Sequence, residues 1–253
     1  MVAARARRIQ AELEALTADV AAVRDEVTGS VQVGVIGSTA RWLAPALLEA
    51  LAVAYPMINV VLHDAATSAQ VPLLVTGQIE LGVLALPIED PDVSSVPLFE
   101  EESVLLVPAT HPLAGRKRLS INDLEGQELL LLPKGTTFRD ALDAAANKAG
   151  FELLAKAEVD GMRLVATMAF QGFAATIAPA SAAPAGITGG WEAIRVDGLP
   201  PRHVGLAQRK RSLLSAPSRA FIEVLHSAIT DLASSQPDIH VSPDLLAASK
   251  TEG

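Results

Sequence analysis

The 253-residue chain contains no cysteine. Disulfides, thiolate nucleophiles and cysteine-ligated metals are therefore excluded, and the redox compartment is left open. Aromatic residues make up only 4% of the chain, so few rings are available to stack on a flat ligand, and a small aliphatic acid is favoured over a large aromatic one. Basic residues are outnumbered, 20 Lys and Arg against 29 Asp and Glu, for a formal net charge of -9. Such a balance argues against a broad basic face gripping DNA or an anionic membrane. No stretch approaches the ~20 continuous apolar residues of a membrane-spanning helix. Glu12, Glu14 and Asp19 interrupt the place where a signal peptide needs an unbroken apolar run. The expectation is a soluble, cytoplasmic protein with no membrane contact.

Catalytic signatures are lacking too. The chain has no G-x-S-x-G, no H-E-x-x-H and no phosphate loop ending in Gly-Lys-Ser/Thr. His63, His111, His203, His226 and His240 are scattered, no two at helical ligand spacing, so no metal, no cofactor and no catalytic residues are expected. His63 and Asp64 are adjacent, which in a strand sends their side chains to opposite faces.

Half of the residues are hydrophobic, enough for one large domain or two ordinary ones. At the N-terminus Ile9, Leu13, Leu16, Val20, Val23 and Val27 recur at alternating gaps of four and three, the a/d seam of a coiled coil. One helix cannot bury that stripe alone, so residues 1–29 read as a dimerising helix, with an amphipathic helix lying on its own domain as the alternative. Gly29 is placed to end it.

From Val31 strands and helices alternate. VQVGVI, INVVLH at 58–63 and LGVLAL at 81–86 are apolar strands, with helices between them along Leu43, Leu47, Leu48 and Leu51 and from about Ser68 to Thr76. Near-continuous apolar strands joined by helices imply a parallel sheet covered on both faces. The unit repeats in outline. ESVLLVPA, ELLLLP at 128–133, LLAKAEV and FAATIAP read as strands, with helices after GTTFRDA and through RLVATMAFQG. HVGLAQRKR at 203–211 reads as a return strand; Ser215 then caps, and Pro217 opens, a last helix through Phe221, Leu225, Ile229 and Leu232. Residues 234–253 are polar and proline-broken and read as a disordered tail.

The heptad helix, VQVGVIGSTARWLAPALLEALAVAYPMINVVL, GQIELGVL, LLVPATHPLAG followed by LSINDLEG, and AFQGFAATIAP occur in that order. Together they resemble the effector-binding region of LysR-type transcriptional regulators with its linker helix, over about residues 5–233. HPLA at 111–114 is the most telling piece. The resemblance implies an α/β fold with two Rossmann-like subdomains of type 2 periplasmic-binding-protein type, joined by two crossover strands and preceded by a coiled-coil linker helix. Subdomain I would hold residues 30–105 and 206–233, and subdomain II 106–205. The crossovers would lie at about 105–109 and 204–208. A small effector would sit in the cleft between the subdomains. Glu80 stands where the family usually has aspartate, and Ala174 where it usually has a second glycine. The helix-turn-helix expected before the linker helix is missing, so DNA would be reached only through a segment this sequence does not contain.

The site chemistry follows from the turns. A helix N-terminus carries about four unpaired N–H groups and roughly half a positive charge, and so attracts anions. Ser38 and Thr39 offer hydroxyls at the first strand-to-helix junction, and Gly135, Thr136 and Thr137 offer the same equipment at the matching junction of the second half. Capping is the competing role for any one of these hydroxyls. Pro45 suits a first helical turn, and a helix starting at Ala44 would leave Ser38 well upstream. Arg41 and Arg139 follow the two junctions and are candidates for bidentate carboxylate contacts, with solvated surface arginine as the alternative. The resemblance adds Met162, at a helix start, and Thr176, on the following strand. The reading is a sensor and oligomerisation region, a homodimer or homotetramer binding a small-molecule effector, expected to be a carboxylate. Its rivals are a transporter's solute-binding protein and a dehydratase-like enzyme on the same two-lobed fold.

Overall fold

The computed structural model describes Leu13, Leu16 and residues 27–183, 189–211, 213–233 and 238–243. Its strands are β1 (Gly29–Val35), β2 (Ile58–Asp64), β3 (Leu81–Ala85), β4 (Val93–Glu101), β5 (Ser103–Pro108), β6 (Arg118–Ser120), β7 (Glu128–Leu131), β8 (Leu154–Glu158), β9 (Ala175–Pro179), β10 (Trp191–Asp197), β11 (Arg202–Arg209) and β12 (Ile239–Val241). The α-helices are α1 (Gly37–Ala54), α2 (Thr67–Thr76), α3 (Thr137–Ala149), α4 (Met162–Phe170) and α5 (Ala216–Ala233). The chain divides into two compact units, one holding residues up to Phe99 and from Val204 onward, the other Glu100–His203.

The first unit is built on a six-stranded sheet in the order β12-β4-β11-β3-β1-β2. β1 pairs in parallel with β2 and β3, whereas β11 runs antiparallel to β3. The sheet is therefore mixed, where strand composition alone implied a parallel one, because the chain's return delivers β11 from the opposite end. α1 buries Leu43, Leu47 and Leu51, at 1%, 1% and 2% exposure, each contributing ~1.5–3 kcal/mol. Phe221, Leu225 and Ile229 of α5 are wholly buried in the same core. That packing carries α1 through Pro45, whose missing N–H leaves a gap in the helical ladder. The helix begins at Gly37, not at Ala44 as the proline suggested.

α5 is anchored as well as packed. The Glu80 carboxylate accepts from Ser215 Oγ at 3.0 Å, Ser218 Oγ at 2.6 Å and, more weakly, Gln32 N–H at 3.4 Å. Ser218 N–H donates to Ser215 Oγ at 3.3 Å, the cap expected there.

The second unit's sheet has the order β6-β10-β5-β9-β7-β8. β7 pairs in parallel with β8 and β9, and β5 runs antiparallel to β9 and β10. All six residues of β5 are buried, so the stretch expected to be the first crossover is an interior strand of this sheet. The chain instead changes units within β4, between Phe99 and Glu100, and returns within β11, between His203 and Val204. Sequence patterning pointed to β5 because it is the buried apolar run, whereas β4, VSSVPLFEE, is broken by Ser94, Ser95 and Pro97. Where β4 ends and β11 begins, Arg202 and Glu101 form a buried ion pair, 8% and 0% exposed, with Arg202 Nε donating to Glu101 Oε1 at 2.8 Å. Glu101 Oε2 also accepts from Ser181 N–H at 3.2 Å.

The segment read as a disordered tail contributes β12. Ile239 is 6% exposed within the first unit's core, and Ser242 N–H donates to Leu98 O at 2.8 Å. Three residues at a sheet edge are too few to show a period. Of the heptad positions, Leu13 and Leu16 are helical and 59% and 61% exposed, and Val27 is half-buried just before β1. Ile9, Val20 and Val23 lie outside the described residues.

Candidate effector site

β1 runs out at Val35, and Ile36 N–H donates to Val83 O at 3.2 Å, tying the turn to the end of β3. The first rung of α1 is Ala40 N–H to Ile36 O at 2.9 Å. The N–H groups of Gly37 and Ser38 therefore precede the helical ladder. Ile36 occupies the N-cap position and supplies no side-chain cap, and the first turn carries no acidic residue. The helix dipole at this end is thus uncompensated.

Ser38 and Thr39 lie within that turn, 2% and 0% exposed. Ser38 does not cap the helix. The Ser38 hydroxyl is buried with no hydrogen-bond partner in the protein. Buried polar groups are nearly always paired, and an orphan calls for an occupant or a function. Arg41 follows on the exposed side of α1, its guanidinium pKa lowered by partial burial.

The junction in the second unit is built differently. Thr136 is the N-cap of α3 but makes no side-chain cap bond; its hydroxyl donates to Pro133 O at 2.9 Å. Gly135, at φ 85°, donates its N–H to Asp140 Oδ1 at 2.9 Å. Asp140 places a carboxylate in the first turn of α3, which offsets the dipole there and opposes a second anion. Thr137 is exposed at the first helical position. The two junctions are thus not equivalent, and only the one at Ser38 has the field and the open donors an anion needs.

Other sequence candidates are committed elsewhere. Arg139 is 2% exposed; its Nε donates to both Asp143 carboxylate oxygens at 2.9 Å, and its Nη1 to Leu132 O at 2.8 Å and Glu158 Oε1 at 3.1 Å. It is an internal strut, not a solvated arginine. Thr176 is wholly buried and donates to Leu130 O at 2.8 Å, fastening β9 to β7, so its proton is not offered to a ligand. Met162 starts α4 and packs against the cluster containing Val104, Leu106 and Ala166.

Two residues escaped the sequence reading. Trp42 lies one turn beyond Ser38 on α1, a relation hidden when the helix is started at Ala44. Gln70 is 0% exposed, and its Nε2 donates to Val35 O at 3.1 Å and Ala65 O at 2.8 Å, bracing the strand end that carries the turn. A lone glutamine in an amphipathic helix gives no signal of that role.

The two α/β units, each with strand-to-helix junctions at the end of a central strand, define a two-unit α/β class of fold. The chain is a member of the LysR family: the model of the LysR substrate binding domain matches residues 24–230. A protein of Streptomyces viridosporus named "Probable hydrogen peroxide-inducible genes activator" is 29% identical over 235 residues, covering 91% of this chain and 75% of that protein. One of the same name from Mycobacterium leprae is also 29% identical, covering 88% of this chain and 74% of its own length. Among solved structures, a cysteine mutant of Corynebacterium glutamicum OxyR superposes with a TM-score of 0.72 at 25% identity, covering 91% of this chain and 74% of that one. Such homologues are transcriptional regulators, and the fold is that of LysR effector-binding domains. Among the described residues no helix is long and apolar enough to cross a membrane.

Proposed function

We propose that this chain senses a small anionic metabolite, a carboxylate in the first instance, by reversible binding at the Ile36–Thr39 turn, and passes the signal to a transcriptional regulator's DNA-binding segment through its own oligomerisation. The orphaned Ser38 hydroxyl at an uncompensated helix N-terminus carries the reading. Arg41 adds positive charge. The relatives named above are peroxide-inducible activators, but this chain has no thiol, so cysteine oxidation is closed to it. Binding equilibrium is the sensing mode its residues support. The effector must bind two states of the protein unequally, since equal affinity shifts nothing. Leu13 and Leu16, exposed on a helix, support a dimerisation seam at Ile9, Leu13, Leu16, Val20, Val23 and Val27.

Thermal unfolding against a panel of organic acids, amino acids and aromatic carboxylates tests this. A ligand at 100 times its dissociation constant adds ~2.7 kcal/mol, or about 5–11 °C at this size. In Ser38→Ala the rise should vanish while the unliganded midpoint stays equal or climbs, because an unpaired buried hydroxyl has been removed. An undiminished rise in the variant sinks the assignment.

A further inference from the structure

Trp42 follows Ser38 by four residues on α1 and is partly buried against the first unit's core. Its ring meets Phe99 edge-on, centroids 5.4 Å apart at 72°. The indole Nε1 is nonetheless buried with no hydrogen-bond partner. Packing against Phe99 requires the ring and not the N–H, since phenylalanine would give the same edge contact. An indole N–H can only donate. Ser38 Oγ and Trp42 Nε1 are thus two buried donors without partners at i and i+4, a spacing that puts side chains on one helix face with Cβ atoms about 5–6 Å apart. Two such orphans a turn apart call for one explanation.

We infer that Trp42 is a specificity-determining residue of the effector site, its Nε1 donating to an oxyanion oxygen of the same ligand that Ser38 holds. This rests on the reading of Ser38 given above. The ligand class follows from the pair. Carboxylate oxygens accept from both donors and carry the charge that the α1 N-terminus favours, whereas an ammonium ligand has no acceptor to offer.

Sodium acetate, the smallest carboxylate of metabolic type, is the probe, titrated against a sodium chloride control. The chain has two tryptophans, so its nitrogen–proton spectrum has two indole resonances, assigned with Trp191→Phe; Trp191 in the second unit is the internal control. The expected result is a saturable downfield shift of the Trp42 indole proton, with the Trp191 resonance unmoved. Trp42→Phe should weaken acetate binding by about tenfold or more without lowering the unliganded unfolding midpoint. Acetate binding that is lost in Ser38→Ala but leaves the Trp42 resonance still and Trp42→Phe unaffected overturns this inference and leaves the Ser38 site standing. Weaker binding in Trp42→Phe with no movement of the wild-type indole resonance marks a packing role and overturns it as well. If acetate produces no saturable change by either readout, the oxyanion class falls for both residues.

Discussion

Gly34 of β1 and Gln70 of α2 touch so closely that a Cβ on Gly34 would lie 1.5 Å from Gln70 Oε1. The missing side chain lets the buried amide reach Val35 O and Ala65 O, at 3.1 and 2.8 Å. The end of β1 is thereby clamped one residue before the turn that presents Ser38. Rigidity at the site thus begins with a glycine in a strand, a place where glycine otherwise weakens the sheet.

Gly34→Ala should cost about 2–4 kcal/mol, from overpacking and from losing the Gln70 hydrogen bonds. Urea denaturation measures it. Because the shortest clash lies with Gln70, with Ile79 Cδ1 a further contact at 2.8 Å, Gly34→Ala combined with Gln70→Ala should be less destabilised than the two single costs added together. Strict additivity would show that the contact does not couple them.

The buried pair of Glu101 and Arg202 permits a sharper contrast. Arg202→Met leaves Glu101, wholly buried, without its countercharge and should cost about 3–5 kcal/mol. Adding Glu101→Leu should recover most of that loss, though not all, because Ser181 N–H then loses the acceptor it has at 3.2 Å. Chemical denaturation of the two variants checks the order. A double variant less stable than the single one would mean that the pair is not the source of the cost.

His111 gives a pH dependence with a defined sign. Burial lowers its pKa from the ordinary 6.5, and its Nδ1 accepts from Leu113 N–H at 3.2 Å, a bond that protonation of that nitrogen would end. The folded state therefore binds the proton less readily than the unfolded chain. Stability from this residue is fully present above the unfolded value of 6.5 and declines as pH falls through it toward the lower folded pKa. His111→Gln should flatten the wild-type fall in unfolding free energy just below that pH. A slope unchanged by the substitution would place the sensitivity elsewhere.

Much of the fold was legible in the residues. Strands at 58–63 and 81–86 and the helix closed by Gly77 stand where apolar runs and the glycine cap put them, with Gly77 left-handed at φ 72°. β10 alternates as half-buried strands do but lacks the continuous apolar run that marked the other strands, β12 is too short to show a period, and β4 carries an internal proline. At the site, the small hydroxyl residues of the first junction signalled its position, but not which hydroxyls were engaged. Thr176 and Thr136 look as available as Ser38 in sequence, yet each donates to a backbone carbonyl.

The sequence by itself determined the family, the alternation of strand and helix in both halves, the absence of thiol chemistry and the acidic balance, because composition and periodicity are properties of the chain before it folds. The tertiary structure alone decided that α1 passes through Pro45, that the two junctions differ in charge, that Arg139 is an internal strut, and that the Ser38 hydroxyl and Trp42 indole N–H are buried without partners. Each of these depends on which groups meet across elements far apart in the chain. Hydrogen-bond satisfaction is settled by those meetings and not by residue type.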